Sequence, residues 1–211
     1  MIKLVIFDFD GVLADSFDAF YLLIRDGMKK IGLPLTTDQY RDLFLGNVHQ
    51  GFKDLINNKQ KFLIFSKFRK KNYDIYYYNE RSKVKLFPET SSFLKRISKK
   101  YVVTIVSSGH QKNVEDLLVL NKVRSLFDLV IANTATTKAD AIKGILTKFK
   151  VKPKETIMIT DTVGDIKVAK KVGLKTIAVT WGFHSAKLLR STKPGFVANS
   201  FKILYKKLKA F

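Results

Sequence analysis

The sequence predicts an α/β fold: a parallel sheet with helices on both faces, interrupted after its first strand by a wholly helical insert. Three observations predict it. Five short apolar runs recur along the chain, as buried parallel strands do. Amphipathic stretches of helical length follow the later runs, the alternation expected of βαβ units. Between the first run and the second, residues 15–85 carry helical patterns in succession with no strand of the same type.

The first run, IKLVIFDFD, is apolar until Asp8 and Asp10 break it, and reads as a buried strand ending in polar groups. The insert follows. Its helices lie in DSFDAFYLLIRDGMKKIG, around TTDQYRDLF, around HQGFKDLI, and from Lys59 to about Arg81. Asp15-Ser16 stands where a helix N-cap is needed. The hinges of the insert are expected near Ala14–Phe17 and near residues 82–87. The sheet resumes with YVVTIVSS (101–108), DLVIAN (128–133), ETIMITD (155–161) and LKTIAVT (174–180). Helices are expected in SSFLKRISKK, HQKNVEDLLVL, KADAIKGILTKF, DIKVAKKVG and the C-terminal SFKILYKKLKAF. This gives a core of residues 1–14 and 86–211 and a helical domain of residues 15–85. A chain of 211 residues accommodates one domain with such an insertion.

Composition narrows the function. There is no cysteine, which excludes a disulfide scaffold, a thiolate nucleophile and a zinc–thiolate centre. The apolar run Leu4–Phe7 is too short for a signal peptide, and no run approaches the roughly 20 residues of a membrane span, so a cytoplasmic protein without membrane association is expected. Net charge is +21. Residues 15–85 hold 14 basic and 8 acidic residues and the remainder 25 and 10, so the excess is distributed along the chain and forms no tail. Such a surface attracts polyanions, and it also follows simply from lysines on solvated faces.

In open α/β sheets, ligands bind beyond the carboxyl ends of the strands. There the sequence places Asp8, Asp10 and Gly11 after the first strand and Ser107-Ser108-Gly109 after the second. Lys138 opens the helix after the third, and Asp161 ends the fourth, with Asp165 one turn later. Four carboxylates sharing a dry pocket require a cation, and oxygen donors without a histidine cluster suit Mg²⁺. Lys138 and Ser107 are suited to phosphate oxygens. Asp8 is placed as a nucleophile toward phosphorus, and Asp10 as the acid that protonates a leaving alcohol and then activates water.

These residues resemble the haloacid dehalogenase superfamily, in its phosphatase branch with a helical cap after the first strand; the phosphoglycolate phosphatase and β-phosphoglucomutase groups are the most similar. The resemblance spans nearly the whole chain. It rests on Asp8-Phe9-Asp10-Gly11-Val12-Leu13-Ala14-Asp15-Ser16, on Ser107 and Lys138, and on Asp161-Thr162-Val163-Gly164-Asp165 before VGLKTIAVTWG. It implies a Rossmann-like core and an aspartyl-phosphate mechanism on Asp8. It further implies Mg²⁺ held by Asp8, Asp161, the Asp10 carbonyl and, directly or through water, Asp165. Ser107 and Lys138, with the backbone N–H groups of Phe9, Asp10 and Ser108, are implied to bind phosphate. Thr160 departs from the glycine common at its position, a change expected to be tolerated.

Within the insert, Leu45–Gln50 falls where related caps present a specificity loop, making His49 a candidate substrate contact or a plain surface histidine. Lysines and arginines interleaved with aromatics from Lys67 to Tyr78 suit single-stranded nucleic acid, or else Phe65, Phe68, Ile75 and Tyr76 form the buried face of a helix. Trp181, Phe183 and His184 either rim the pocket or pack. The expected activity is hydrolysis of a small phosphorylated metabolite similar to phosphoglycolate, a sugar phosphate or a nucleotide. The alternatives are a phosphomutase of the same fold and a nucleic-acid-binding or polynucleotide-phosphatase protein that uses the basic surface.

Overall fold

A computed structural model of the chain describes residues 1–78, 84–132 and 136–211. In chain order its elements are β1 (Leu4–Phe7), β2 (Ala14–Asp15), α1 (Phe17–Lys30), α2 (Thr37–Asp42), α3 (Val48–Ile56), α4 (Lys59–Tyr77) and β3 (Lys85–Leu86). There follow α5 (Thr90–Ile97), β4 (Val102–Ser107), α6 (Gln111–Leu120), β5 (Leu129–Ala132), α7 (Lys138–Phe149) and β6 (Thr156–Thr160). The chain ends with α8 (Val163–Lys171), β7 (Lys175–Val179), α9 (Ala186–Ser191), β8 (Phe196–Ala198) and α10 (Phe201–Lys209). Two compact units emerge, Met1–Ala14 with Leu86–Phe211, and Asp15–Lys85.

The first unit is built on a six-stranded sheet of order β5-β4-β1-β6-β7-β8, parallel throughout. β1 lies inside it because all four of its residues are apolar and fully buried, so both of its faces need cover. Phe7 is in register with Ile105 on one side and Ile159 on the other, which sets the residues after each strand side by side. On one face Leu4, Ile6, Val106 and Met158 pack against Ile142, Ile145 and Leu146 of α7 and Ala169 of α8. Aromatic contacts run Phe7–Phe93 (6.0 Å), Phe93–Phe201 (5.2 Å) and Phe201–Trp181 (4.8 Å). Among the described residues, no helix is long and apolar enough to cross a membrane.

The sequence reading had no strand at residues 196–198 and no helix at residues 186–191. Both elements are too short to show a period, and β8 is a half-buried edge strand held by pairing to β7. The 128–133 run forms β5 over Leu129–Ala132; its last position lies outside the described residues, as do residues 79–83, which include the end of the expected helix and part of the second expected hinge.

The second unit is helical. α2 opens with a capping box of Thr36 and Gln39, α3 with Asn47 accepting from the Gln50 N–H, and α4 with Asn58 accepting from the Lys61 N–H. Ser16 stands at the N-cap of α1 but does not cap it. Its ψ is 0°, where a capping residue is extended, and its buried hydroxyl makes no hydrogen bond. The aromatic tract of α4 turns largely inward: Phe65, Tyr73 and Tyr77 are buried, and the Tyr76 hydroxyl donates to Asp26 Oδ2 at 2.7 Å. Phe20 of α1 packs on Tyr73 and Tyr77 at 5.5 and 6.1 Å. Ile75, grouped above with the buried face, is 59% exposed, because the inward row is the i, i+4 series through residues 65, 69, 73 and 77.

Ile145 is fully buried against the sheet. Ile145→Ala should cost about 3 kcal/mol, seen in urea unfolding as a lower midpoint with an unchanged slope.

Candidate active site

β1 is the strand at which the direction of chain progression reverses. The chain moves from β1 to β4 and β5 on one side, then returns to β6 and continues outward through β7 and β8. The crevice at such a reversal opens beyond the carboxyl ends of the two adjacent strands, here β1 and β6. Asp8 follows β1 directly, and Asp161 follows β6.

After Asp8 the chain closes in a tight loop. The Phe9 carbonyl accepts from the N–H groups of Leu13 (2.9 Å) and Ala14 (3.0 Å), and Gly11, at φ +75°, donates to the Ala14 carbonyl (2.8 Å). Gly11 is needed there on two counts: the left-handed backbone, and the Asp161 carboxylate, which occupies the space a Cβ would fill. Gly182 leaves space for the same carboxylate, since a Cβ on it would meet both Asp161 Oδ2 and the Gly11 carbonyl.

The charged groups meet through Lys138. Its Nζ lies 3.0 Å from Asp8 Oδ1 and 2.6 Å from Asp165 Oδ2. Helix caps place two members of this set: Thr137 caps α7 at its start, and Thr162 accepts from the Asp165 N–H at the start of α8. Thr160 donates to Asp165 Oδ2 at 3.1 Å, so the residue that replaces the usual glycine adds an anchor to the site. Asp161 Oδ2 accepts from the Phe183 N–H at 2.6 Å, while its Oδ1 is buried without a hydrogen-bond partner. Ser107, buried at the end of β4, makes a long 3.4 Å bond to Asp10 Oδ2 and accepts from the Gly109 N–H at 2.9 Å.

The structure thus brings together Asp8, Asp10, Ser107, Lys138, Asp161 and Asp165, all in the first unit. The Phe9 N–H, expected to face phosphate, donates to Asp8 Oδ1 at 2.8 Å, and Ser108 is exposed beside Ser107. His49 lies exposed on α3 in the second unit, its ring edge on Phe62. The loop after β7 is scaffold: Trp181 Nε1 donates to the Val12 carbonyl, and His184 Nδ1 accepts from the Val163 N–H. Gly182, Phe183 and Thr160 hold Asp161 and Asp165 in place, roles that the reading of strand ends did not assign to them; the sequence signal available was the glycine that closes VGLKTIAVTWG.

Burial sets the electrostatics. It pushes Asp161 up to about 7 against the opposing Phe183 N–H bond. It also raises Asp8 well above the carboxylate range, outweighing the attraction of Lys138. Burial acts in the same direction on Asp165, but Lys138 and the hydrogen bonds from Asp8, Lys138 and Thr160 prevail and hold it low. Lys138 is raised, because Asp165 and Asp8 together overcome its own desolvation.

Among the described residues, no three acidic or histidine side chains form a ready metal cluster. Asp165 is taken up by Lys138 and Thr160. The partnerless Oδ1 of Asp161 and the excess of buried carboxylates over ammonium groups nevertheless form an oxygen donor set that fits a hard divalent cation.

Comparison with known proteins gives a concordant result. The family model described as haloacid dehalogenase-like hydrolase matches residues 5–179. The phosphoglycolate phosphatase of Aliivibrio fischeri is 24% identical over 96% of this chain and 95% of its own. Pyrophosphatase PpaX of Bacillus anthracis is 27% identical over 96% and 94%. A solved haloacid dehalogenase-like hydrolase from Streptococcus pneumoniae shares the fold, with a TM-score of 0.79, 23% identity and 98% of each chain covered.

Two outcomes follow from the geometry. A carboxyl with a raised folded-state pKa stabilises the fold while protonated, and that contribution is lost as pH rises through the folded value. In EDTA, thermal midpoints should therefore fall as pH rises from about 4, where the unfolded carboxyl ionises, to the folded value of about 7 for Asp161 and then level off, and Mg²⁺ should restore more stability at the upper end. Gly182→Ala should displace the Asp161 carboxylate and abolish the Mg²⁺-induced rise in midpoint while the far-UV spectrum is retained.

Proposed function

The chain belongs to the haloacid dehalogenase-like hydrolase family, and from that premise we propose that it is a Mg²⁺-dependent phosphatase of small phosphomonoesters, with phosphoglycolate-like compounds the first substrates to consider. The observation that carries this reading is the buried Asp8 at the end of β1 with the Lys138 ammonium 3.0 Å away. A carboxylate nucleophile and a fixed cation for phosphoryl oxygens stand side by side at the strand reversal.

The proposed reaction has two displacements. Asp8 attacks phosphorus, the bond from phosphorus to the ester oxygen breaks, and Asp10 gives its proton to the departing alcohol. The aspartyl phosphate is then hydrolysed: Asp10, now ionised, takes a proton from water as that water attacks phosphorus, and Asp8 leaves as a carboxylate. Lys138 and the Ser107 hydroxyl hold the phosphoryl oxygens as charge moves between them. Thr160 and Lys138 fix Asp165, which in turn keeps Lys138 charged and directed at Asp8.

Asp8, Asp161 and the Asp10 carbonyl would hold Mg²⁺, with Asp165 orienting from behind. When bound, the ion neutralises the carboxylates and polarises a phosphoryl oxygen. The role of residues 15–85 is proposed to be substrate selection, with His49 a candidate contact. The names of the relatives favour a phosphorylated two-carbon acid as the first natural substrate to assay, and the absence of a membrane-spanning helix among the described residues is compatible with a cytoplasmic setting.

Phosphate release from p-nitrophenyl phosphate should require Mg²⁺ and stop with EDTA. Asp8→Asn should lower kcat by about 10³-fold or more, and Asp10→Asn by about 10²–10⁴-fold, each with the far-UV spectrum and a cooperative thermal transition retained. Substantial turnover by folded Asp8→Asn would remove the nucleophile assignment.

A further inference from the structure

The phosphatase chemistry makes no use of the +21 net charge, and in the first unit part of that charge collects in one place. α5 and α10 cover the sheet face opposite α7 and α8. Phe7 points away from Leu4 and Ile6 and packs on Phe93 of α5, which packs in turn on Phe201 of α10. At the far end of α10 the Tyr101 hydroxyl, just before β4, donates to the Leu208 carbonyl at 3.1 Å. Residues 90–101 and 201–211 thus share one surface, and together they contain eight lysines and arginines and no aspartate or glutamate.

Lys95, Arg96, Lys99 and Lys100 are exposed on and just after α5, and Lys202, Lys206 and Lys209 are exposed on α10. The α10 lysines recur at i, i+4 and i+7, so they line one side of the helix over about 10 Å. Rings beneath hold other cations in place. The Arg96 guanidinium carbon lies 3.7 Å from the centroid of Tyr205, and Lys207 Nζ lies 4.9 Å from those of Phe196 and Phe211. Outside the active site, the ion pairs described in this unit are Lys3–Glu155, Lys112–Asp116 and Arg124–Glu115, and none involves these eight cations. Like charges at helical spacing repel, a cost that one glutamate among them would relieve.

The surroundings select the partner. The tract from Lys67 to Tyr78, whose sequence suits single-stranded nucleic acid, turns Tyr73 and Tyr77 inward. On the α5–α10 surface, too, no aromatic ring of residues 90–101 or 201–211 is exposed for bases to stack on. A helix that lies in a lipid surface buries its apolar side there. In α10 that side is taken up by the protein, since Phe201, Leu204 and Leu208 are buried and Ile203 is its exposed large apolar residue. What remains is a face of cations.

We infer that the α5–α10 face binds the phosphodiester backbone of double-stranded nucleic acid without reading its sequence. About 10 Å of duplex axis carries about six phosphate charges, a density that the two basic segments can meet. The inference is independent of the phosphatase reading. Duplex DNA and duplex RNA offer the same phosphates, and the experiment separates them.

Fluorescence anisotropy of a labelled duplex of about 20 base pairs, followed from about 50 to about 200 mM salt, tests this in the full chain. The wild-type protein is expected to bind at the low end and to lose affinity steeply as salt rises. Lys202→Gln, Lys206→Gln and Lys209→Gln combined should weaken binding about 10-fold or more, and should make the slope of log affinity against log salt shallower by about 3. Lys95→Gln with Lys99→Gln, on the other helix, should make it shallower by about 2. Both variants should keep the far-UV spectrum and the turnover of p-nitrophenyl phosphate. Lys59→Gln, Lys67→Gln and Lys71→Gln combined remove the same charge from the exposed side of α4 and should leave binding unchanged. Binding of either duplex supports the inference, and the difference between DNA and RNA names the source. It is overturned by an absence of wild-type binding at low salt, by equal weakening in the α4 variant, or by a single strand of the same length held more tightly than the duplex. Sedimentation of the wild type with phosphatidylserine vesicles, without duplex binding, also overturns it and assigns the face to lipid.

Discussion

Four carboxylates and one ammonium group share the carboxyl ends of β1 and β6 and the helix starts beside them, and much of the first unit serves to hold that imbalance. Lys138 meets two of the carboxylates, Asp8 and Asp165, within 3.0 Å. It does not neutralise the other two. In a dry interior such an arrangement persists only where the surrounding packing is stronger than the repulsion, or where a further cation joins. Both conditions are visible. β1 and β6 are buried along their full length, and Asp161 keeps one oxygen bonded to the Phe183 N–H and the other without a partner.

The positions of these groups follow from backbone constraints more than from the charges themselves. Parallel register aligns the ends of β1, β4 and β6. Threonine caps set the first turns of α7 and α8, and with them Lys138 and Asp165. Gly11 and Gly182 leave room on either side of one carboxylate. The site is therefore a product of close packing around short polar side chains, in which a single added methyl group has consequences.

The strand ends were legible in the sequence because buried parallel strands are apolar on both faces, so the first polar residue after each run is informative. Asp8, Ser107 and Asp161 all stand out on that ground. What holds them was not legible. Gly182 and Phe183 act through backbone atoms, and nothing in their identity shows that Asp161 lies against them. Thr160 was read as a tolerated departure and proves to donate to Asp165. Ser16 has the residue type of a cap without the backbone angle that lets it act as one. Arg69 was read within a basic tract, and its place on the inward row appears only once the phase of α4 is fixed by Phe65, Tyr73 and Tyr77.

A central strand of the sheet is also its first in sequence. β1 precedes every other strand of the sheet, yet its partners are Val102–Ile105 and Thr156–Ile159, and among the described residues no nearer strand pairs with it in the sheet. Such non-local pairing is slow to form, because long loops must close before any contact rewards them. During synthesis the LVIF segment therefore has to be kept from other partners until residues 102–105 and 156–159 have been made. Asp161 emerges just after the last strand that flanks β1. The charged cluster cannot assemble on a shorter nascent chain, so the chemistry of this protein begins only once its sheet has been closed around its oldest strand.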